Sequence, residues 1–464
     1  RVFHIAGFIV VALGCGLFTN QIILSDFMEE HQINIRMFRP MESYQKYGGV
    51  LTFARSVGYA VVKKPEGYTT AKVDQIIQEY EKKSANEQQS TAKQYPNIIT
   101  VVNETFADIK VLGDFKTNED YMPYFHSLKK NCVTGYTYAS IVGGQTANTE
   151  FELLTGNTLG FLSAGTTAFQ LYIHGQMPSL VSNLKAEGYS GNKAMHPFNP
   201  YNYNRPAVYK DFGFTDFIDK FDFPKNVKRV REYISDEANV DRIISEYEKN
   251  RKKTDQPFYM YNMTIQNHSP YDKDAANFKQ PIKIESSKYD AEANRYLNLI
   301  KYSDDSLKQL TGYFEKCKEP TIILFLGDHQ PRLTDEFMNK ITNGQYQTWS
   351  SEQMMKRYQV PFVIWANYDI KEQHIEKTSM NYIQSILTKT AGVKMTGYQR
   401  FLNEVRKEVP TITSQGYWGK NGKFYQINDK GSPYYGIIQK YRMIQYNMMF
   451  DKKNRRDSFF EVSK

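Results

Sequence analysis

Four short apolar runs set the strongest limit on what this 464-residue chain can fold into. NIITVVNE (97–104), FYMYNMTI (258–265), TIILFLGD (321–328) and PFVIWAN (361–367) are rich in β-branched and aromatic residues and end in polar ones. Unbroken runs of this kind read as strands buried on both faces, which is how parallel strands look. Helical periodicity lies between them, at 176–187, 290–316 and 379–390. Strands alternating with helices predict an α/β sandwich around a mostly parallel central sheet flanked by helices. Ligands in such sheets bind beyond the carboxyl ends of the strands, so residues at those ends are the first candidates for function.

The N-terminus carries a different signal. Residues 2–19 (VFHIAGFIVVALGCGLFT) are almost entirely apolar and near the lower length limit for crossing a bilayer as a helix. We read 1–19 as the last transmembrane helix of a longer set. Residues 20–95 read as a juxtamembrane connector, with a surface-lying amphipathic helix at 48–62, a charged helix at 69–84 and a polar linker at 84–96. The catalytic domain is expected at 96–395 and a small C-terminal subdomain at 396–464. The formal net charge of +9 comes without a nucleic-acid motif or a basic stripe, so an anionic membrane is the expected electrostatic partner. Three cysteines with no CxxC pair exclude a cysteine zinc site and leave a Cys132–Cys317 disulfide open.

The strand ends supply the chemistry. Glu104 follows ITVVN, Asp328 and His329 follow IILFLG, and Asn267 and His268 follow YMYNMTIQ. Carboxylates and imidazoles at adjacent strand ends are hard-oxygen and nitrogen ligands for a divalent cation. In VGGQTANTEFELLTGN (142–157), two glycines permit a tight turn and TEFELL reads as a helix, so Thr146 falls near a helix N-terminus that favours anions. A cation beside that hydroxyl makes it a usable nucleophile; a plain helix cap is the competing reading. MHPFNPYNYNRPAVYKDFGF (195–214) is too irregular for a long helix and reads as a binding loop. There Arg205 offers paired hydrogen bonds to a phosphate and His196 a proton-carrying imidazole.

Five ordered motifs now stand together: a strand ending in Glu104, a Gly-rich turn with Thr146 followed by Glu150-Phe151, His196-x8-Arg205 before YKDFG, Asn267-His268-x-Pro270, and a strand ending in Gly327-Asp328-His329. In that order, from Pro96 to about Asn367, they resemble the extracellular sulfatase-like domain of lipoteichoic acid synthases and related phosphoglycerol transferases. The resemblance implies a sulfatase-like fold and metal ligation by Glu104, Thr146, Asp328 and His329, with Mn2+ expected and Mg2+ or Zn2+ as alternatives. It makes Thr146 the nucleophile and places His196, Tyr203, Arg205 and His268 on the glycerol phosphate. Tyr203 stands where the better-known members carry tryptophan, which leaves headgroup preference open.

The expected reaction moves glycerol phosphate from phosphatidylglycerol to a hydroxyl of a cell-envelope glycopolymer or glycolipid, through a glycerophospho-threonine intermediate, with His268 protonating the leaving group. A true sulfatase needs a C/S-x-P-x-R context, and Cys132 is followed by VTGY instead. A phosphoethanolamine transferase of the same fold and a non-catalytic glycopolymer-binding homologue are the remaining alternatives.

Overall fold

The computed structural model describes residues 2–23, 27, 31, 33, 35, 40–60, 62–84, 94–285, 290–344 and 346–462. Most of the linker expected at 84–96 therefore lies outside the described residues. The strands are β1 (Asn97–Asn103), β2 (Cys132–Tyr138), β3 (Ser190–Met195), β4 (Asp216–Ile218), β5 (Arg229–Val230), β6 (Tyr233–Ile234), β7 (Phe258–Met263), β8 (Thr321–Gly327), β9 (Gln359–Ala366) and β10 (Gln373–Ser379). Three short C-terminal strands follow, β11 (Thr411–Thr413), β12 (Gly416–Trp418) and β13 (Phe424–Tyr425).

Eight strands form one sheet in the order β10-β2-β9-β8-β1-β7-β3-β4. β1, β7 and β8 are buried at every position, as their continuous apolar sequences require. The sheet is parallel throughout except at β9, which runs antiparallel to both β8 and β2. This corrects the expectation that PFVIWAN is a fourth parallel strand: burial on both faces fixes composition but carries no sense of direction. The cause is the connection. After β8 the chain does not cross a face of the sheet but stays at the carboxyl edge, so it must re-enter in the opposite sense at Gln359.

The expected helices appear as Leu180–Ala186, Ala291–Phe314 and Met380–Thr390. The charged helix at Thr70–Ser84 docks on the C-terminal segment, where Asp74 accepts two bonds from Arg456 at 2.6 and 2.8 Å. The C-terminal segment shares the main core: Tyr398, Phe401, Tyr441 and Ile444 pack in the same cluster as Phe151 and Leu154.

The helix Val2–Phe18 is apolar and exposed from His4 onward, and a window from His4 to Gln21 is long and apolar enough to cross a membrane. The next helix, Pro40–Ala60, is bent at Gly48 (φ 76°). Its amphipathicity is inverted relative to a soluble surface helix. Thr52 and Arg55 are buried, whereas Val50 and Phe53 are 72% and 67% exposed.

Beyond β1, His126 sits between two acids, with Nδ1 2.7 Å from Asp120 and Nε2 3.6 Å from Asp108. Its pairing with the Asp108 carboxylate leads the causes that raise its pKa from 6.5 to about 9. A raised value means the contribution is complete below pH 6.5 and disappears as pH climbs through 9. Because the ring is 36% exposed, we expect only about 1 kcal/mol. Urea denaturation of the wild type between pH 6 and 9.5 should show that loss, and His126→Gln should lack it.

Candidate active site

The carboxyl edge gathers the chemistry because β1, β2, β7 and β8 all end there. Glu104 follows β1. The next residue, Thr105, is held in the left-handed region (φ 56°), which a β-branched side chain rarely adopts. Two contacts hold it there: its N–H donates to Asp328 Oδ1 at 2.6 Å, and Tyr296 donates to its carbonyl at 2.9 Å. Gly327, just before Asp328, has no alternative, since a Cβ would lie 1.8 Å from the Phe106 carbonyl oxygen.

Glu104, Asp328 and His329 bring one ligand atom each within 4.8 Å of one another and are fully buried. Asp328 Oδ1 is satisfied by the Thr105 and His329 amides at 2.6 and 2.8 Å. Its Oδ2 and His329 Nε2, 3.2 Å apart, have no hydrogen-bond partner. His329 Nδ1 lies 3.0 Å from the Gln330 carbonyl, which can only accept, so this nitrogen carries the proton and Nε2 presents a lone pair. Burial, and then the charge of Asp328, raise the Glu104 pKa to about 8. An unpartnered carboxylate oxygen and an imidazole lone pair, buried beside the second carboxylate of Glu104, fit a divalent cation.

Thr146 is the first residue of the helix Thr146–Thr155, and its Oγ1 donates to Glu104 Oε2 at 3.4 Å. The cap position belongs to Gln145, in the left-handed region with no capping side-chain bond, so Thr146 is not merely a cap. Gly143 (φ 67°) and Gly144 (φ 139°) make the turn that brings the helix end to the sheet edge. Every residue of this helix is buried. Thr149 donates to the Asp328 carbonyl at 2.7 Å, and the Tyr398 and Tyr441 hydroxyls clamp the Gly156 carbonyl at its far end, at 2.9 and 2.5 Å. The C-terminal segment, for which the sequence suggested no chemical role, thus buttresses the Thr146 helix.

A cavity of about 530 Å3 opens over Glu104 and Thr146, and His196, Tyr203, Arg205 and His268 line it. Arg205 begins a helix (Arg205–Phe212), so the expected irregular loop covers only the first half of 195–214. Its Nε and Nη2 both donate to Glu150 Oε1, at 3.0 and 2.7 Å, while the Tyr209 and Tyr261 hydroxyls bond Oε2. The paired phosphate contact foreseen for Arg205 is therefore already committed to Glu150, and Nη1 is the end left for a ligand. The guanidinium also sits 5.1 Å from the Tyr203 ring centre. Glu150 was legible only as part of the Glu-Phe motif, with no sign that it anchors the arginine. Removing its charge strands a buried cation, so Glu150→Gln should cost about 3 kcal/mol or more in chemical denaturation.

His196 and His268 share one tautomer. Nδ1 of His196 faces the Met263 carbonyl at 2.9 Å and that of His268 faces Ser269 at 2.7 Å, so each Nε2 is left as an acceptor. Burial, more than any other cause, lowers both pKa values, and the rings are neutral at pH 7. Asn267, grouped with His268 by sequence, instead ties β1 down: it donates to Asn103, the Glu104 carbonyl and Ser303 at 3.0, 3.0 and 2.8 Å. Sequence reasoning missed the far rim, where Arg332, Tyr346, Arg357 and Tyr358 face the cavity from the segment between β8 and β9. Cys132 and Cys317 are free thiols.

The sulfatase family matches residues 96–393, well over half of the chain. The chain belongs to the sulfatase family. It is 30% identical, over 92% of its length, to a Rhizobium meliloti protein named for cyclic beta-1,2-glucan modification. A lipoteichoic acid synthase-like protein of Bacillus subtilis, YvgJ, is 27% identical over 50% of the chain. The chain spans 65% of the first relative and 36% of the second. Phosphoglycerol transferase GacH of Streptococcus pyogenes, solved with sn-glycerol-1-phosphate, superposes with a TM-score of 0.69 at 20% identity, covering 87% of this chain and 100% of that one. The fold is thus sulfatase-like, as the motifs implied.

Proposed function

We propose that this enzyme transfers glycerol phosphate from phosphatidylglycerol to a hydroxyl of a cell-envelope glycan, through a glycerophospho-Thr146 intermediate. The observation that carries the reading is the Thr146 hydroxyl, 3.4 Å from a carboxylate of the buried Glu104–Asp328–His329 cluster, at the edge of a ligand-sized cavity. Glu104, Asp328 and His329, with the Thr146 oxygen, would hold the divalent cation, Mn2+ being our first choice over Mg2+ and Zn2+. When bound, it neutralises the clustered acids and lowers the proton affinity of a neighbouring hydroxyl.

The side chains divide the remaining work. Thr146 Oγ attacks phosphorus while its proton passes to Glu104, the acceptor it already faces. The bond from phosphorus to the diacylglycerol oxygen breaks, and the protonated minority form of His268, a ring otherwise neutral at pH 7, supplies that oxygen with a proton. Neutral His268 Nε2 then takes the proton of the incoming acceptor hydroxyl as the Thr146–phosphorus bond breaks, and Glu104 returns the proton to Thr146. Arg205 Nη1 balances charge on the phosphoryl oxygens. His196, neutral with an accepting Nε2, suits a glycerol hydroxyl rather than a phosphate oxygen, which would set acceptor against acceptor.

The exposed apolar helix Val2–Phe18 would hold the enzyme at the membrane beside its lipid donor, with the catalytic domain outside. Among acceptors, a glucan is the first to test, given the name of the Rhizobium relative. Mass spectrometry of the full chain incubated with phosphatidylglycerol vesicles and Mn2+ should find a glycerophosphate adduct on the Thr146 peptide. An adduct only with phosphatidylethanolamine would move the assignment to phosphoethanolamine transfer, and no adduct from either lipid would end it.

A further inference from the structure

Glu152 is a fully buried acid that the reaction above leaves unused. It lies on the Thr146 helix, two residues past Glu150. Glu150 directs its charge at Arg205, whereas Glu152 directs its own at hydroxyls. Three donors converge on Glu152 Oε1: the Ser140 hydroxyl at 2.7 Å, the Leu159 N–H at 2.9 Å and the Thr158 hydroxyl at 3.3 Å. Of these three residues, Ser140 and Leu159 line the catalytic cavity, and only Ser140 brings a hydroxyl to it.

Ser140 follows β2, and its hydrogen bonds fix what it can offer a ligand. Its proton is committed to Glu152, and one lone pair takes the Ser414 N–H at 3.2 Å. A hydroxyl oxygen has two lone pairs, so the one left over can only accept. The carboxylate behind it, in a buried setting, strengthens that acceptor. Ser163, Ser414 and Gln415 continue the wall. They come from the loop after the Thr146 helix and from the turn between β11 and β12. All four side chains of this wall are neutral.

We infer that Ser140, polarised by Glu152, accepts a hydrogen bond from a sugar hydroxyl of the acceptor glycan. Ser140 is then an acceptor-binding residue and Glu152 its positioning residue. The inference rests on the transfer reading above. Neither a phosphate oxygen nor an acyl ester carbonyl carries a proton, so the donor phosphate and the departing diacylglycerol both leave Ser140 unsatisfied. A sugar ring, with hydroxyls on neighbouring carbons, satisfies it. The donor's glycerol also has hydroxyls, but its expected partner, His196, follows β3. In the sheet order β2 stands second and β3 seventh, so their strands are about 24 Å apart. The phosphate site over β1 and β8 lies between them, with the glycerol toward β3 and the glycan toward β2.

The probe is a neutral linear β-1,2-glucan oligosaccharide, used with the full chain in detergent and Mn2+. Burial pushes Glu152 up to about 7 against its hydrogen bonds, so the work belongs at pH 8, where the carboxylate is ionised. Ser140→Ala should weaken calorimetric glucan binding, and raise the glucan KM, about tenfold or more. Glu152→Gln should act in the same direction. Ser140→Thr, which restores the hydroxyl, should recover most of the affinity. The burst of diacylglycerol from phosphatidylglycerol, measured without glucan, separates this effect from damage to the donor step. Unchanged glucan affinity in Ser140→Ala overturns the inference, as does a burst that falls in proportion with the affinity. Should Ser140→Ala fail to fold, Gln415→Ala on its half-exposed turn takes its place, and unchanged affinity there is equally fatal. A wild type that binds no glucan overturns the sugar assignment. Ser140-dependent glucan binding without any diacylglycerol burst would refute the reaction while leaving the sugar site standing.

Discussion

Thr146→Ala should lower diacylglycerol release from phosphatidylglycerol by about 10^4-fold or more, the usual scale when the atom that forms the covalent intermediate is removed. The protein should remain folded. Thr146 contributes one long hydrogen bond, 3.4 Å to Glu104, and the helix it begins is held by Thr149 on the Asp328 carbonyl and by two tyrosines at its far end. An unchanged melting temperature with lost turnover is therefore the expected pair of readings. Thr146→Ser should restore part of the rate, because the hydroxyl returns while the methyl that fixes its rotamer does not. Undiminished release by Thr146→Ala would remove the nucleophile from the proposal.

The second large effect concerns the cation. Without it, the protein must bury two neighbouring carboxylates beside an imidazole, and burial pushes Glu104 up to about 8. An acid raised from 4.5 in this way is protonated in the folded apo protein over a range where the unfolded chain has ionised. Apo stability should therefore fall as pH rises from 4.5 through 8. A divalent cation displaces that proton, so its affinity should climb about tenfold per pH unit across the same window and level off above it. Melting curves with EDTA and with added Mn2+, at pH 5.5, 6.5 and 7.5, measure this directly: the shift on adding metal should grow with pH. Asp328→Asn should abolish both the shift and turnover, since Oδ2 has no other partner. A metal-induced shift that is flat with pH would contradict the account of Glu104.

The residues of this cluster were legible for a physical reason. β1, β7 and β8 lie in the middle of the sheet, where both faces are buried, so their sequences are dense apolar runs and the first polar residue marks the edge. β2, β3 and β10 were missed. CVTGYTY and SGNKAM are broken by glycine and polar residues, and QHIEKTS lies at the sheet margin with four of seven positions exposed. The sense of β9 was missed because direction is a property of the connection, not of the strand. Arg205 was found but its partner was not: Glu150 lies 55 residues away in sequence, and nothing local shows that the two meet. Arg332 and Arg357 came to the cavity rim in the same way, through tertiary folding alone.

The reversed strand has a consequence for how such enzymes diversify. Because β8 and β9 are hydrogen-bonded neighbours, the excursion between them leaves and returns at one place on the scaffold. Its helix Asp335–Ile341 is set in the main core through Phe337, Met338 and Ile341, so only the stretch after that helix can change without disturbing the sheet. Exchanging 342–354 with the equivalent stretch of a relative should alter which glycan is accepted while leaving donor cleavage intact, since Tyr346 faces the cavity from there.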